Sequence, residues 1–244
     1  MMQANAFGDL SSVMKTRIKK LVPRSLKESI KALERERQMR RAIGQINRLK
    51  ENEIPSTELL AMCKAGWGDD GFRAVGGYLE EVVQRAATAE GPILEIGSGL
   101  TTLLLGLLAG RRGLQVWTLE HLPEFHQQIQ AKLKRYRISN VNPILAPLSD
   151  YGEFAWYASP ELENMPHNFP LVIADGPPDS TKGGRYGLLP VMRSHLATGA
   201  VILLDDAERV SEQAVLNQWQ AQYNLSYEMR RRGEKAWAVC TSGN

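Results

Sequence analysis

Hydrophobic positions along this chain change their rhythm twice. Leu26, Ile30 and Leu33 fall on one helical face, and the stripe then shifts and resumes as Met39, Ile43, Ile46 and Leu49. Spacings of three and four predict an amphipathic helix that starts with Ser25 after Pro23 and runs towards Lys50. The shift between the two stripes excludes a sustained heptad seam. Residues 1–11 show no such pattern and read as frayed. A proline break over 53–56 precedes further helix over 57–89, interrupted around Gly66 and Gly71.

From Gly91 onward, short apolar runs alternate with amphipathic stretches, the signature of strands and helices around a parallel sheet. The runs predict strands at 93–96, 114–119, 142–146, 171–174 and 200–204, with helices near 101–109, 123–136, 186–196 and 210–222. The end of the chain differs. Residues 225–229 and 236–240, joined through a bend at Gly233, predict a hairpin instead of another strand–helix–strand unit. The expected class is α/β, with a helical N-terminal extension over 1–56 and one domain over 57–244. Within that domain, 57–90 is a helical lead-in or lid and 91–244 the core.

Composition supports a globular chain: 43% of the 244 residues are hydrophobic and 23% charged. The apolar run 100–110 is far below the roughly 18 residues a bilayer span needs. The first ten residues lack the pattern of a signal peptide, so a cytoplasmic location is the expectation. Two cysteines, Cys63 and Cys240, are too few for a disulfide framework. No His/Cys cluster of zinc-ligand spacing accompanies the four histidines. Net charge is +3 but unevenly placed: residues 1–50 hold thirteen Lys/Arg against four Asp/Glu, and the remainder holds 17 against 23. The extension is therefore basic. Its charge and apolar stripe suit a helix packed on its own domain, a sister subunit or an anionic membrane surface. The lack of interleaved aromatics argues against nucleic acid.

The segment Glu95-Ile96-Gly97-Ser98-Gly99-Leu100-Thr101-Thr102 closes a predicted strand and opens a predicted helix. Two glycines there allow a sharp turn and close approach of backbone to a ligand, and the helix N-terminus offers unpaired N–H groups. Dinucleotide enzymes and methyltransferases both use such loops, and a ligand-free tight turn is the bland alternative. A dinucleotide fingerprint wants a third glycine where this chain has Thr102, which disfavours hydride carriers. Glu95, just before the loop, is a poor neighbour for a pyrophosphate and a suitable one for a cationic cofactor. The second strand ends at Glu120, whose carboxylate can accept both ribose hydroxyls of an adenosine or, more blandly, cap the next helix.

Together with Glu120-His121-Leu122-Pro123, Ala174-Asp175-Gly176-Pro177-Pro178 and Leu204-Asp205-Asp206, this loop resembles class I S-adenosylmethionine-dependent methyltransferases over about residues 60–240. The layout is similar to the catechol and caffeoyl-CoA type of O-methyltransferase. The resemblance implies a Rossmann-like sheet of seven strands ending in an antiparallel hairpin. It implies that Gly97, Ser98, Gly99 and Thr101 surround the methionine end of the cofactor, with Glu95 near its amino group. Glu120 would hold the ribose, and Ala146, Pro147 and Leu148 would line the adenine. It also implies Mg²⁺ at Asp175, Asp205 and Asp206. Three departures stand beside it: Asp206 replaces an Asn, Gly176-Pro177-Pro178 follows the first Asp, and no Lys comes three residues after it.

A sulfonium methyl is already electrophilic, so the protein must mainly align an in-line attack and desolvate the nucleophile. A hydroxyl acceptor also needs a base or a metal. Asp175 is the candidate to orient substrate or bind metal, and otherwise caps a turn. Lys182 and Arg185, in a Gly-containing loop, either are solvated charges or grip an anionic substrate, with Lys182 a candidate base if desolvated. Trp67, Asp69, Asp70 and Phe72 are candidates to cover the substrate. The expected function is methyl transfer to a hydroxyl of a small molecule or glycan. The alternatives are a non-catalytic protein that keeps the fold and a nucleotide-linked oxidoreductase.

Overall fold

The computed structural model describes residues 23–68, 76–158 and 160–242. Residues 1–11, expected to be frayed, and the lid candidates Asp69, Asp70 and Phe72 lie outside that set. Among the described residues, three helices come first: α1 (Arg24–Ile46), α2 (Thr57–Trp67) and α3 (Gly76–Ala87). Ser56 starts α2 by accepting a hydrogen bond from the Leu59 amide at 3.3 Å. The core then runs β1 (Ile93–Ile96), α4 (Leu100–Gly110), β2 (Val116–Glu120), α5 (Pro123–Tyr136), β3 (Val141–Leu145), β4 (Leu148–Asp150), β5 (Ala155–Tyr157) and β6 (Phe169–Ala174). It closes with α6 (Leu188–Met192), β7 (Leu196–Leu204), α7 (Val210–Tyr223), β8 (Leu225–Arg232) and β9 (Lys235–Ser242).

Seven of these strands form one sheet in the order β3-β2-β1-β6-β7-β9-β8, parallel except for β9, which is antiparallel to both neighbours. The chain runs outward from β1 through β2 to β3, then returns to β6. The strand order therefore reverses between β1 and β6, and the carboxyl ends of these two strands flank the crevice where such sheets bind ligands. Alternation along the strands covers both faces. Ile93, Leu171 and Ile173 join Val82, Leu104, Ile129 and Leu133 on one side. Leu94, Ile96, Val172 and Ala174 join Leu189, Leu216 and Trp219 on the other.

The expected seven-stranded Rossmann-like sheet with a terminal hairpin is present, and three details differ from the pattern read along the chain. The 186–196 helix contracts to α6, because Gly187 packs against the Trp156 ring and Pro190 limits continuation. β7 starts at Leu196, earlier than its apolar run, since Thr198 and Gly199 sit on an exposed half of the strand. The small antiparallel pair β4–β5 stands outside the main sheet. Gly233 takes φ +64° in the two-residue connection of the β8–β9 hairpin, a conformation that costs glycine little.

The second half of the extension's helix packs on the domain. Met39, Ala42, Ile43 and Ile46 of α1 are buried in the same cluster as the sheet's first face. Glu36 also accepts the Tyr136 hydroxyl of α5 at 2.9 Å. A boundary at residue 56 thus cuts through one packed core. Only the first turns of α1 stand clear, with Leu26, Ile30 and Leu33 exposed. Among the described residues, no helix is long and apolar enough to cross a membrane.

Candidate active site

β1 ends in the loop that opens α4, and the residues of that loop are tied together by Glu95. This side chain is fully buried and accepts hydrogen bonds from the hydroxyls of Thr101, Thr102 (2.7 Å) and Thr118 (2.8 Å). Burial pushes the Glu95 carboxyl up to about 7, against the pull of those three hydroxyls. Thr102 also accepts the Gly99 amide at 2.9 Å. The residue standing where a dinucleotide fingerprint has glycine is therefore a strut between the loop and the buried acid. Glu95, expected near a cofactor amino group, is instead sealed beneath the loop and does not line the cavity.

Gly97 adopts φ +90°, and a Cβ there would lie 3.2 Å from the Gly176 amide nitrogen. A Cβ on Gly176 would in turn meet the Tyr157 hydroxyl at 2.5 Å and the Gly97 Cα at 3.1 Å. The loops after β1 and β6 thus touch backbone to backbone, which only glycines allow. Their carboxyl-terminal edges bound a cavity of about 420 Å³.

One wall of that cavity is the loop after β1. Gly97, Ser98, Gly99, Thr101 and Glu120 line it, as the chain pattern predicts, beside His121, Leu122 and Phe125. Glu120 accepts the Ser98 hydroxyl at 2.6 Å, the Ser98 amide at 3.2 Å and the Leu122 amide at 2.9 Å, and His121 Nδ1 lies 3.2 Å away. Burial raises its pKa, but His121, the two amides and the Ser98 hydroxyl outweigh it, so Glu120 stays ionised below the usual range. Pro147 and Leu148, expected beside an adenine, are not on the cavity wall. The Pro147 carbonyl accepts the Ala158 amide and Leu148 pairs with Tyr157 in the β4–β5 hairpin. That hairpin contributes Tyr157 in their place. Its ring is fully buried, and its hydroxyl reaches the cavity with no partner among the described residues.

The opposite wall is acidic. Asp175, Asp205 and Asp206 converge there, each offering an oxygen within 4.8 Å of the others. Arg185 sits among them at 2% exposure. Its guanidinium donates to the Asp205 carbonyl and lies 3.2 Å from Asp175 Oδ1, 3.3 Å from Asp206 Oδ2 and 3.9 Å from Glu212. Gly183 and Gly184, both at positive φ, turn the chain into this position. Trp219 holds the turn by donating to the Tyr186 carbonyl at 2.9 Å. Burial opposes the Arg185 charge, yet the surrounding carboxylates hold it above its ordinary pKa. Asp206, itself at φ +56°, also binds Lys235 at 2.6 Å and Arg209 at 2.9 Å. Burial raises its pKa, and these three cations more than reverse that. Asp175 and Asp205 move the other way: burial pushes both up, Arg185 opposes, and the neighbouring carboxylates add to the rise.

A divalent cation fits this donor set poorly. Both Asp206 oxygens and Asp175 Oδ1 already face fixed positive groups, and a dication between the carboxylates would lie against the Arg185 guanidinium. The three carboxylates expected to bind Mg²⁺ do converge, but that charge arrangement disfavours the ion. Lys182, the expected candidate base, is half exposed, pairs with Asp150 at 3.3 Å and does not line the cavity. Arg185, Tyr157 and Lys235 are the cavity groups that sequence reasoning missed or left as solvated charge.

No family model matches the sequence, and no curated protein matches it. Solved structures do. The chain is similar to a caffeoyl-CoA O-methyltransferase-like protein from Staphylococcus aureus, at 14% identity and TM-score 0.54 over 70% of this chain and 85% of that one. It is similar to a cofactor-bound protein from MTB, at 18% identity and TM-score 0.51 over 79% and 85%. The C-terminal domain of precorrin-6Y C5,15-methyltransferase from Rhodobacter capsulatus matches at 16% identity and TM-score 0.50 over 74% and 95%. At such identities the shared property is architecture alone: a Rossmann-like seven-stranded sheet with an antiparallel strand near its end, as in these methyltransferase structures.

Proposed function

We propose that the cavity binds S-adenosylmethionine and transfers its methyl group to a hydroxyl of a small molecule or glycan. The observation that carries this is the juxtaposition of two walls in one cavity: the Gly97–Gly99 loop with ionised Glu120, and the acidic edge with Asp175. On the first wall, Glu120 accepts the ribose hydroxyls and the loop takes the amino-acid end. The cavity's carboxylates favour a sulfonium, which is cationic.

On the second wall, Asp175 faces the cavity with its side chain about a quarter exposed, at 23%. Burial raises its proton affinity, which suits a group that receives a proton. The acceptor oxygen attacks the methyl carbon in line with the departing sulfur. The C–S bond breaks to give the neutral thioether, and the hydroxyl proton passes to Asp175. The reaction needs alignment more than it needs an activated leaving group.

The test supplies S-adenosylmethionine with a labelled methyl group and follows its appearance in small-molecule and glycan fractions. Asp175→Asn should lose roughly 10²-fold or more in rate while still binding S-adenosylhomocysteine. Binding of the cofactor product without label transfer to any acceptor would support a non-catalytic protein that keeps the fold.

A further inference from the structure

We propose that Arg185 is an internal counter-ion standing where a divalent metal would otherwise sit, so that this cavity binds its ligands and works without metal. The inference rests on the methyl-transfer reading of the site, which supplies the acidic edge with a purpose. It grows from a disagreement: three carboxylates gather as ligands for a hard cation do, yet a buried guanidinium already bridges two of them and the main-chain carbonyl of the third.

The placement of Arg185 is fixed from several directions. Its backbone follows two glycines in left-handed conformations, and its side chain is buried with one nitrogen on the Asp205 carbonyl. The same guanidinium spans Asp175 just beyond β6 and Asp206 beyond β7, tying together the two strand ends that form the acidic wall. Glu212 of α7, fully buried, closes the far side at 3.9 Å. Replacing Arg185 with solvent would remove the cation that Asp175 and Glu212 share and leave Asp206 with Lys235 and Arg209.

Mg²⁺ requires near-octahedral oxygen ligands and keeps several waters, so it needs room and oxygens free of other cations. Here Asp206 gives one oxygen to Lys235 and the other to Arg185 and Arg209. A guanidinium stays charged at every physiological pH and presents a rigid fork to two carboxylates at once. It supplies permanent positive charge that need not be acquired from solution. It also differs from a dication in consequence. A dication bound to Asp175 would hold its carboxylate strongly in the ionised form, whereas the guanidinium, with a single charge, contacts one oxygen, Oδ1, and leaves the other to accept a proton.

The experiment uses the full chain and Mn²⁺ as the probe, followed by electron paramagnetic resonance of the free ion. S-adenosylhomocysteine affinity is measured separately, in chelator and in excess Mg²⁺. Wild-type protein should show no saturable Mn²⁺ uptake and the same affinity in both buffers. Arg185→Gln should gain one Mn²⁺ site, and adding Asp205→Asn to it should abolish that site. Stoichiometric Mn²⁺ binding by the wild type, lost in Asp205→Asn, would overturn the proposal. A folded Arg185→Gln protein that takes up no Mn²⁺ would also overturn it, because the removed cation would not have been covering a cation site. Where that variant does not fold, the wild-type titration decides alone. Failure to bind S-adenosylhomocysteine at all would count against the cofactor reading and leave the Mn²⁺ result standing.

Discussion

The two walls of the cavity are built by opposite means. The wall after β1 is made from two adjoining segments, the Glu95–Thr102 turn and the end of β2 with its following turn, in which the backbone at Gly97 and Gly99 and a buried acid with three threonine hydroxyls set the shape. The acidic side is made from side chains that arrive from β6, the loop after it, the end of β7, the start of α7 and β9. A wall of the first kind is stabilised by local geometry, and a wall of the second kind by charge balance across the fold. In folding stability, the first should withstand loss of charge and suffer from added bulk, whereas the second should do the reverse.

The largest effect expected from that contrast is at Arg185. Arg185→Met leaves buried carboxylates without their shared cation, and should cost about 3–5 kcal/mol of stability in urea unfolding. A change under about 1 kcal/mol would mean that the acidic wall does not depend on charge balance.

Glu95 gives the matching test on the other wall. Its carboxyl sits at about 7 in the folded protein against 4.5 ordinarily, so the folded state holds this proton where the unfolded chain releases it. Its contribution to stability is fully present below pH 4.5 and is lost as pH rises through 7. Unfolding midpoints of wild type and Glu95→Gln, which keeps the neutral form, should diverge over that window. The wild type should fall behind by up to about 3 kcal/mol. A difference that is constant with pH would contradict the burial of an acid with raised proton affinity.

Gly97→Ala comes next. It forces a side chain into positive φ and against the Gly176 backbone, at about 1–3 kcal/mol. Calorimetry should show S-adenosylhomocysteine binding weakened by roughly tenfold or more. Lys182→Ala should do least. Its exposed pair with Asp150 is worth below about 1 kcal/mol, and neither cofactor binding nor methyl transfer should change. A substantial loss of activity there would restore Lys182 as a base.

The same contrast explains what the sequence could disclose. Gly97, Ser98, Gly99, Thr101 and Glu120 were legible because the feature that places them is contiguous: strand, two glycines, helix, then the next strand's end. The convergence of Asp175, Asp205 and Asp206 was legible because neighbouring parallel strands end at one edge. Arg185 was not, since a charged residue in a glycine-containing loop reads as solvent-facing, and only the packing of Gly187 and Tyr186 against Trp156 and Trp219 turns it inward. Tyr157 was hidden for a related reason. Its hairpin has three-residue strands, too short for alternation to register, so the chain after β3 looked like an adenine-lining loop through Pro147 and Leu148. In the extension the two stripes were legible as separate faces, and the structure exposes the first while the second, from Met39, is core.

The central claim, that this cavity is an S-adenosylmethionine site, is tested most directly by titration calorimetry of S-adenosylhomocysteine into the wild-type protein and into Glu120→Ala. Saturable one-to-one binding by the wild type, weakened roughly a hundredfold, or about 3 kcal/mol, in Glu120→Ala, is the predicted result. Folded wild-type protein that binds neither S-adenosylhomocysteine nor S-adenosylmethionine, or a Glu120→Ala variant that binds as tightly as the wild type, would contradict it.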